Sequence, residues 1–178
     1  YEATLDQRWL QTAVDLAAVI EGLFADPAGG FFQASVEHEQ LVTRRKDFLD
    51  SAVPSGNALA AELYLRLGRL LERPAYTERA TAIMRMMVDA LGEQPAAFGR
   101  LLCALDFTLH PGYEIAVVGD PAAADTQALL AEVWRRYLPG SVLALRRPGD
   151  AAAPALVPFP SDREPIRGAA TAYVCRNY

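Results

Sequence analysis

Apolar residues recur at three- and four-residue steps through most of the first 110 positions, the spacing of helices with one buried face. Trp9, Ala13, Leu16, Ala17, Ile20 and Phe24 predict a helix over 5–25. Asp26-Pro27-Ala28-Gly29-Gly30 ends it, because Pro and paired Gly break helical hydrogen bonding. Phe31 to Ala34 reads as a short extended piece or a buried aromatic lip. After a polar stretch, Pro54-Ser55-Gly56-Asn57 reads as a helix start, with Leu59, Leu63, Leu67, Leu70 and Leu71 inward. Arg73-Pro74 ends that helix. A second helix over 76–91 turns Ala80, Ile83, Met84, Met87 and Leu91 inward, with Gly92 as its C-terminal cap. A third, over 95–109, does the same with Phe98, Leu101, Leu102, Leu105 and Leu109, and Cys103 reads as a small buried apolar residue.

The pattern changes at His110-Pro111-Gly112. Tyr113 to Gly119 is nearly all apolar and β-rich, as in a strand covered on both faces. Asp120-Pro121 opens a helix to about Tyr137, with Leu129, Leu130, Val133, Trp134 and Tyr137 inward. Ser141 to Leu145 is the next strand, which completes a βαβ unit. The turn Gly119-Asp120-Pro121 is neither a GxGxxG nor a Walker loop, so no dinucleotide site is expected there. Residues 148–165 read as a long surface loop, and Thr171 to Cys175 as a last short strand. The fold class is therefore mainly α: helical hairpins over 1–110, then a small α/β unit over 111–178.

Composition narrows the function classes. The 178 residues carry a formal net charge of -5, and 52% are hydrophobic, which suits a buried core. The one basic cluster, Arg44-Arg45-Lys46, is followed at once by Asp47 and Asp50, so a nucleic-acid track is excluded. No apolar run is long enough for a membrane span, and the N-terminus is not a signal peptide. Cys103 and Cys175 form no CxxC pair and are not expected to bond, which points to a reducing, cytoplasmic setting. His38 has no second His or spaced carboxylates beside it, so no metal and no cofactor is expected. The first residue is not Met, which suggests a fragment.

The stretch from Arg44 to Asn57 holds the candidate chemistry. Asp47 and Asp50 are candidate acid and base, with Asp106 a third carboxylate at the end of its helix. Arg44 and Lys46 are their electrostatic partners, and Ser55 and Asn57 can position hydroxyl groups. A structural alternative stands beside this. Asp50 can cap a turn, Ser55 and Asn57 can cap a helix, and Lys46–Asp50 can be a surface pair worth under about 1 kcal/mol. If the stretch is a site, Asp47, Asp50, Ser55 and Asn57 converge on one concavity at a helix N-terminus, where unpaired N–H groups suit hydroxyl-rich or anionic ligands.

Several motifs carry a family resemblance. They are Gly29-Gly30-Phe31-Phe32; Arg44-Arg45-Lys46-Asp47 with Asp50 and Pro54-Ser55-Gly56-Asn57; Ala104-Leu105-Asp106; Glu114 to Gly119; and Gly168 to Cys175. In this order they resemble the C-terminal part of the thioredoxin-domain-containing family that includes the mammalian spermatogenesis-associated protein and its bacterial relatives. The resemblance implies an N-terminal thioredoxin-like domain in full-length members, then an (α/α)6 toroid similar to six-hairpin glycosidases and N-acylglucosamine 2-epimerases. This chain is expected to lack the thioredoxin-like domain and to hold too few helices to close six hairpins. No redox dithiol activity carries over. Two functions follow: a sugar-like small molecule bound or converted in a helical cavity, or a non-catalytic scaffold supporting the missing N-terminal part of the same protein.

Overall fold

The computed structural model describes residues 1–39, 43–149, 156–158 and 160–176. The chain is mainly α with a small α/β part. It forms two compact units: Thr12–Gly68 with Arg73–Leu109, and Tyr1–Gln11 with Arg69–Glu72 and His110–Tyr178.

The first of these is helical. α1 runs Gln7–Phe24. It cannot begin at Leu5, which takes a left-handed φ of 57°. Apolar residues lie on more than one side of α1, and burial selects the stripe through Leu10 and Ala17. Trp9 and Leu16, expected inward, are 57% and 55% exposed. α2 (Gly56–Leu70) buries a broader face than the leucine spacing suggests. Ala58, Ala61, Tyr64, Leu65 and Leu67 are inside, while Leu59 is 45% exposed and Leu63 half-buried. The small alanines let neighbours approach, so the seam rotates toward them. Tyr64 is fully buried because its hydroxyl finds a partner, donating to Ala17 O at 3.2 Å, while its ring stacks on Phe31 and Tyr76.

The helix expected over 76–91 is two helices, α3 (Pro74–Arg85) and α4 (Val88–Glu93). Pro74 stands at the start of α3, where its missing N–H costs nothing. The break falls at Met87, whose φ of -112° and ψ of 8° leave the helical well. Gly92 lies inside α4, and Gln94 caps it. The helix expected over 95–109 is likewise a 3₁₀ turn, Pro95–Phe98, followed by α5 (Gly99–Leu109). The buried stripe of α5 is Leu101, Ala104 and Phe107. Cys103 lies off that stripe and is exposed, and Leu109 is 63% exposed. Both cysteines are free thiols.

The second unit holds the sheet. β1 (Glu114–Val118) is central, in the order β2-β1-β3. It runs parallel to β2 (Val142–Arg146), pairing Ala116 with Ala144, and antiparallel to β3 (Thr171–Cys175), pairing Ala116 with Tyr173. α6 (Ala124–Trp134) connects the parallel strands, and Ile115, Val117, Leu130 and Leu143 form the core beneath it. α6 stops at Trp134, so the inward positions expected at Trp134 and Tyr137 are 45% and 90% exposed. The Trp134 indole N–H instead donates to Glu2 O at 2.9 Å. All five residues of β1 are buried, Glu114 included. Arg69 Nη2 meets its carboxylate at 2.5 Å, and Arg69 also donates to Gly140 O at 2.6 Å. The loop expected over 148–165 lies partly outside the described residues; within it, Val157 is buried.

Candidate functional site

Within the helical unit, three pieces of chain meet at the start of α2. The turn after α1 needs its two glycines: Gly29 has a φ of 110° and Gly30 one of 67°. A Cβ on Gly30 would stand 3.0 Å from Asn57 Oδ1 and 3.1 Å from Phe48. The chain then runs extended, bridged antiparallel at Ala25–Phe31 and again at Phe32–Lys46. Phe31 and Phe32 thus form the aromatic lip that their sequence suggests.

Asn57 joins the three pieces. It is buried, its Oδ1 accepts the Phe31 N–H at 2.8 Å, and its Nδ2 donates to Phe31 O at 2.9 Å and Asp47 O at 2.8 Å. Ser55, also buried, caps α2 by accepting the Ala58 N–H at 3.3 Å. Asp50 uses both carboxylate oxygens on backbone: Oδ1 accepts the Ser55 N–H at 2.8 Å and Oδ2 the Arg100 N–H at 2.6 Å. Its own N–H donates to Ala97 O at 2.9 Å. Asp50 therefore ties the loop to the first turn of α5, where a carboxylate also suits the helix dipole.

Two of the three cations of the loop, Lys46 and Arg44, are bonded to groups other than Asp47 and Asp50. Lys46 Nζ donates to Asp26 Oδ2 at 2.7 Å and Gly29 O at 2.6 Å. The Lys46 hydrogen bond, with a smaller contribution from the Ala28 N–H, holds the Asp26 carboxyl below its ordinary range. Arg44 donates to Ala34 O at 2.6 Å and Leu23 O at 3.3 Å, with its guanidinium 4.1 Å above the Phe32 ring. The Tyr64 hydroxyl is pushed well above its ordinary pKa, first by burial and then by the Glu21 charge, so it stays protonated.

Beside this junction lies a cavity of about 490 Å³. Ile20, Phe24, Phe31, Phe32, Leu59 and Leu63 are among its apolar lining residues, and Gln33, Asp47, Gly56 and Asn57 also line it. Asp47 is half-buried, and its carboxylate accepts one long hydrogen bond, from the Leu49 N–H at 3.3 Å. Of the residues singled out in the sequence, Asp47 and Asn57 line the cavity. Arg44, Lys46, Asp50, Ser55 and Asp106 do not. Asp106 stands exposed on α5. Sequence reasoning missed Gln33 as a lining residue and Asp26 as the partner of Lys46, since nothing in a turn sequence marks its Asp as half-buried.

Similarity to known proteins extends over the whole chain. It aligns over 181 positions, 99% of its length, with spermatogenesis-associated protein 20 of Rattus norvegicus at 32% identity. The Homo sapiens protein aligns over the same share, also at 32%. The chain is homologous to spermatogenesis-associated protein 20. It spans 23% of the length of each of those relatives. An uncharacterized protein of Caenorhabditis elegans aligns over all of the chain at 25% identity. No protein-family model matches. The homology to spermatogenesis-associated protein 20 runs through both compact units and so includes the segments that build the cavity.

Among the described residues, one carboxylate, Asp47, and two primary amides, Gln33 and Asn57, join an apolar lining beside a helix N-terminus, the usual make-up of a small-molecule pocket. Glycoside hydrolysis needs two carboxylates flanking one bond. Among the described residues lining the cavity there is one, Asp47. Among the described residues, no group of three or more His, Cys, Asp and Glu is gathered to hold a metal ion. Among the described residues, no helix is long and apolar enough to cross a membrane.

Proposed function

We propose that this chain is a segment of an (α/α) hairpin toroid and that its helical unit binds a sugar-like small molecule, without itself supplying a hydrolytic carboxylate pair. One observation carries the reading. Asp47, Gln33 and Asn57 share with apolar and aromatic side chains the lining of one cavity. A sugar ring presents the same two characters, C–H faces and hydroxyl edges. The test is calorimetric titration of the full-length protein with neutral monosaccharides. Binding that is lost in Leu59→Trp, which fills the cavity from its half-exposed wall, is the expected result. Absence of binding to every sugar, or indifference to Leu59→Trp, overturns it.

A second reading has its own observation. Leu16 and Val19 of α1 and Leu59 of α2 are 55%, 47% and 45% exposed, and such apolar surface suits a scaffold covered by other parts of a longer protein. Limited proteolysis separates the two readings: protection of α1 by the remainder of the full-length protein supports the scaffold, with or without sugar.

A further inference from the structure

The cavity has a charge of one sign, and the cations around it are engaged elsewhere. Among the described residues, Asp47 is the one charged residue lining it. Lys46 is held between Asp26 and the Gly29 carbonyl, and Arg44 by two carbonyls and the Phe32 ring. Arg79 lies 4.6 Å from the Phe31 ring centroid and pairs with Glu21 at 2.8 Å. Arg45, exposed two residues before Asp47, is outside the lining. Against the full negative charge of Asp47 stands the N-terminus of α2 at Gly56, worth about half an elementary charge and largely screened beyond its first turn. Arg44 keeps its positive charge behind the Phe32 ring, since carbonyls hold it without neutralising it, so Asp47 is the charge that a ligand in the cavity can touch directly. A contact with that carboxylate beside an apolar lining is less screened than one in bulk water.

From this we infer that the cavity selects a ligand carrying an ammonium group, which Asp47 receives while the remainder lies on the aromatic wall. The inference rests on the reading of this cavity as a small-molecule site, and it turns away phosphorylated and acidic molecules. Asp47 has the capacity for it. Its carboxylate makes one bond, at 3.3 Å, whereas both oxygens of Asp50 are saturated by shorter ones. A charge-assisted hydrogen bond in such a setting favours the cation by about tenfold over its neutral analogue.

Two probe sets, titrated into the full-length protein, test this. The first is glucosamine, glucose and glucose 6-phosphate; the second is benzylammonium, benzyl alcohol and benzoate. The ammonium member of each set binds about tenfold tighter than the neutral one, and the anion more weakly than either. Asp47→Asn removes that preference, bringing the ammonium and neutral members of each set to within about twofold of one another, with an unchanged melting temperature as the folding control. If no sugar binds but benzylammonium still outranks benzoate through Asp47, the sugar reading fails and the charge inference stands. If the anions match or outrank the cations, if the preference survives Asp47→Asn, or if nothing in either set binds, the charge inference is overturned.

Discussion

Asn57 does for the Phe31 peptide what a neighbouring strand would do: it gives and takes one hydrogen bond each. Asn57→Ala leaves buried partners unsatisfied, at a cost of about 3 kcal/mol, read as a lowered unfolding free energy in urea. Asp50→Asn sets an amide N–H against a backbone N–H and lowers stability by about 1–3 kcal/mol, whereas Asp47→Asn is within about 0.5 kcal/mol of neutral. The two carboxylates are three positions apart, yet their substitutions separate a structural role from a binding one. Asp26 adds a pH dependence. Its folded pKa is depressed, so the unfolded chain takes up the proton first as pH falls. The stability it contributes is complete above about pH 4, the ordinary range of Asp, and is lost as pH falls through the lowered value. Asp26→Asn should flatten that acid limb in denaturation curves measured from pH 6 to 2.

At the scale of elements, the hydrophobic periodicity located α1, α2, α5, β1 and α6 and placed the change from helix to strand near residue 113. What it could not read were events decided by partners far along the chain. Asp50 reaches across 50 positions to the start of α5, and no local pattern carries that. The break between α3 and α4 contains neither Pro nor Gly, so the usual signals for one were absent. The site was half legible for the same reason. A cluster of charge and turn residues marked the loop, but burial and competing bonds decided that Asp47 faces the cavity while Asp50, Lys46 and Arg44 do not. Close packing of α2 on α3 offers a test here. A Cβ on Gly68 would collide with Thr77 Oγ1 and come within 3.2 Å of the Thr77 N. Gly68→Ala should cost about 1–3 kcal/mol. Thr77→Ala in the same chain should recover part of it, a coupling visible in a double-mutant cycle of unfolding free energies.

For the molecule as a whole, the exposed apolar residues matter most. Leu16, Val19 and Leu59 place leucine and valine in solvent where a charged residue would be the ordinary choice. The chain produced alone should bind a hydrophobic dye and self-associate at micromolar concentration. Leu16→Lys should reduce both, with a melting temperature within a few degrees of the parent.

The sheet-containing unit takes its residues from three places: Tyr1–Gln11, Arg69–Glu72 and His110–Tyr178. This interleaving has a consequence for the order of events on the ribosome. Tyr1–Gln11 is synthesised long before β3, Thr171–Cys175, closes the sheet, and at ordinary elongation rates the interval is on the order of ten seconds. Until Leu143 is made, Leu5 lacks the complete core it packs against, Ile115, Val117, Leu130 and Leu143. The helical unit, by contrast, is all translated once Leu109 is made. Synthesis therefore favours a nascent chain in which the helices and the cavity are set first, while Tyr1–Gln11 wait for the sheet.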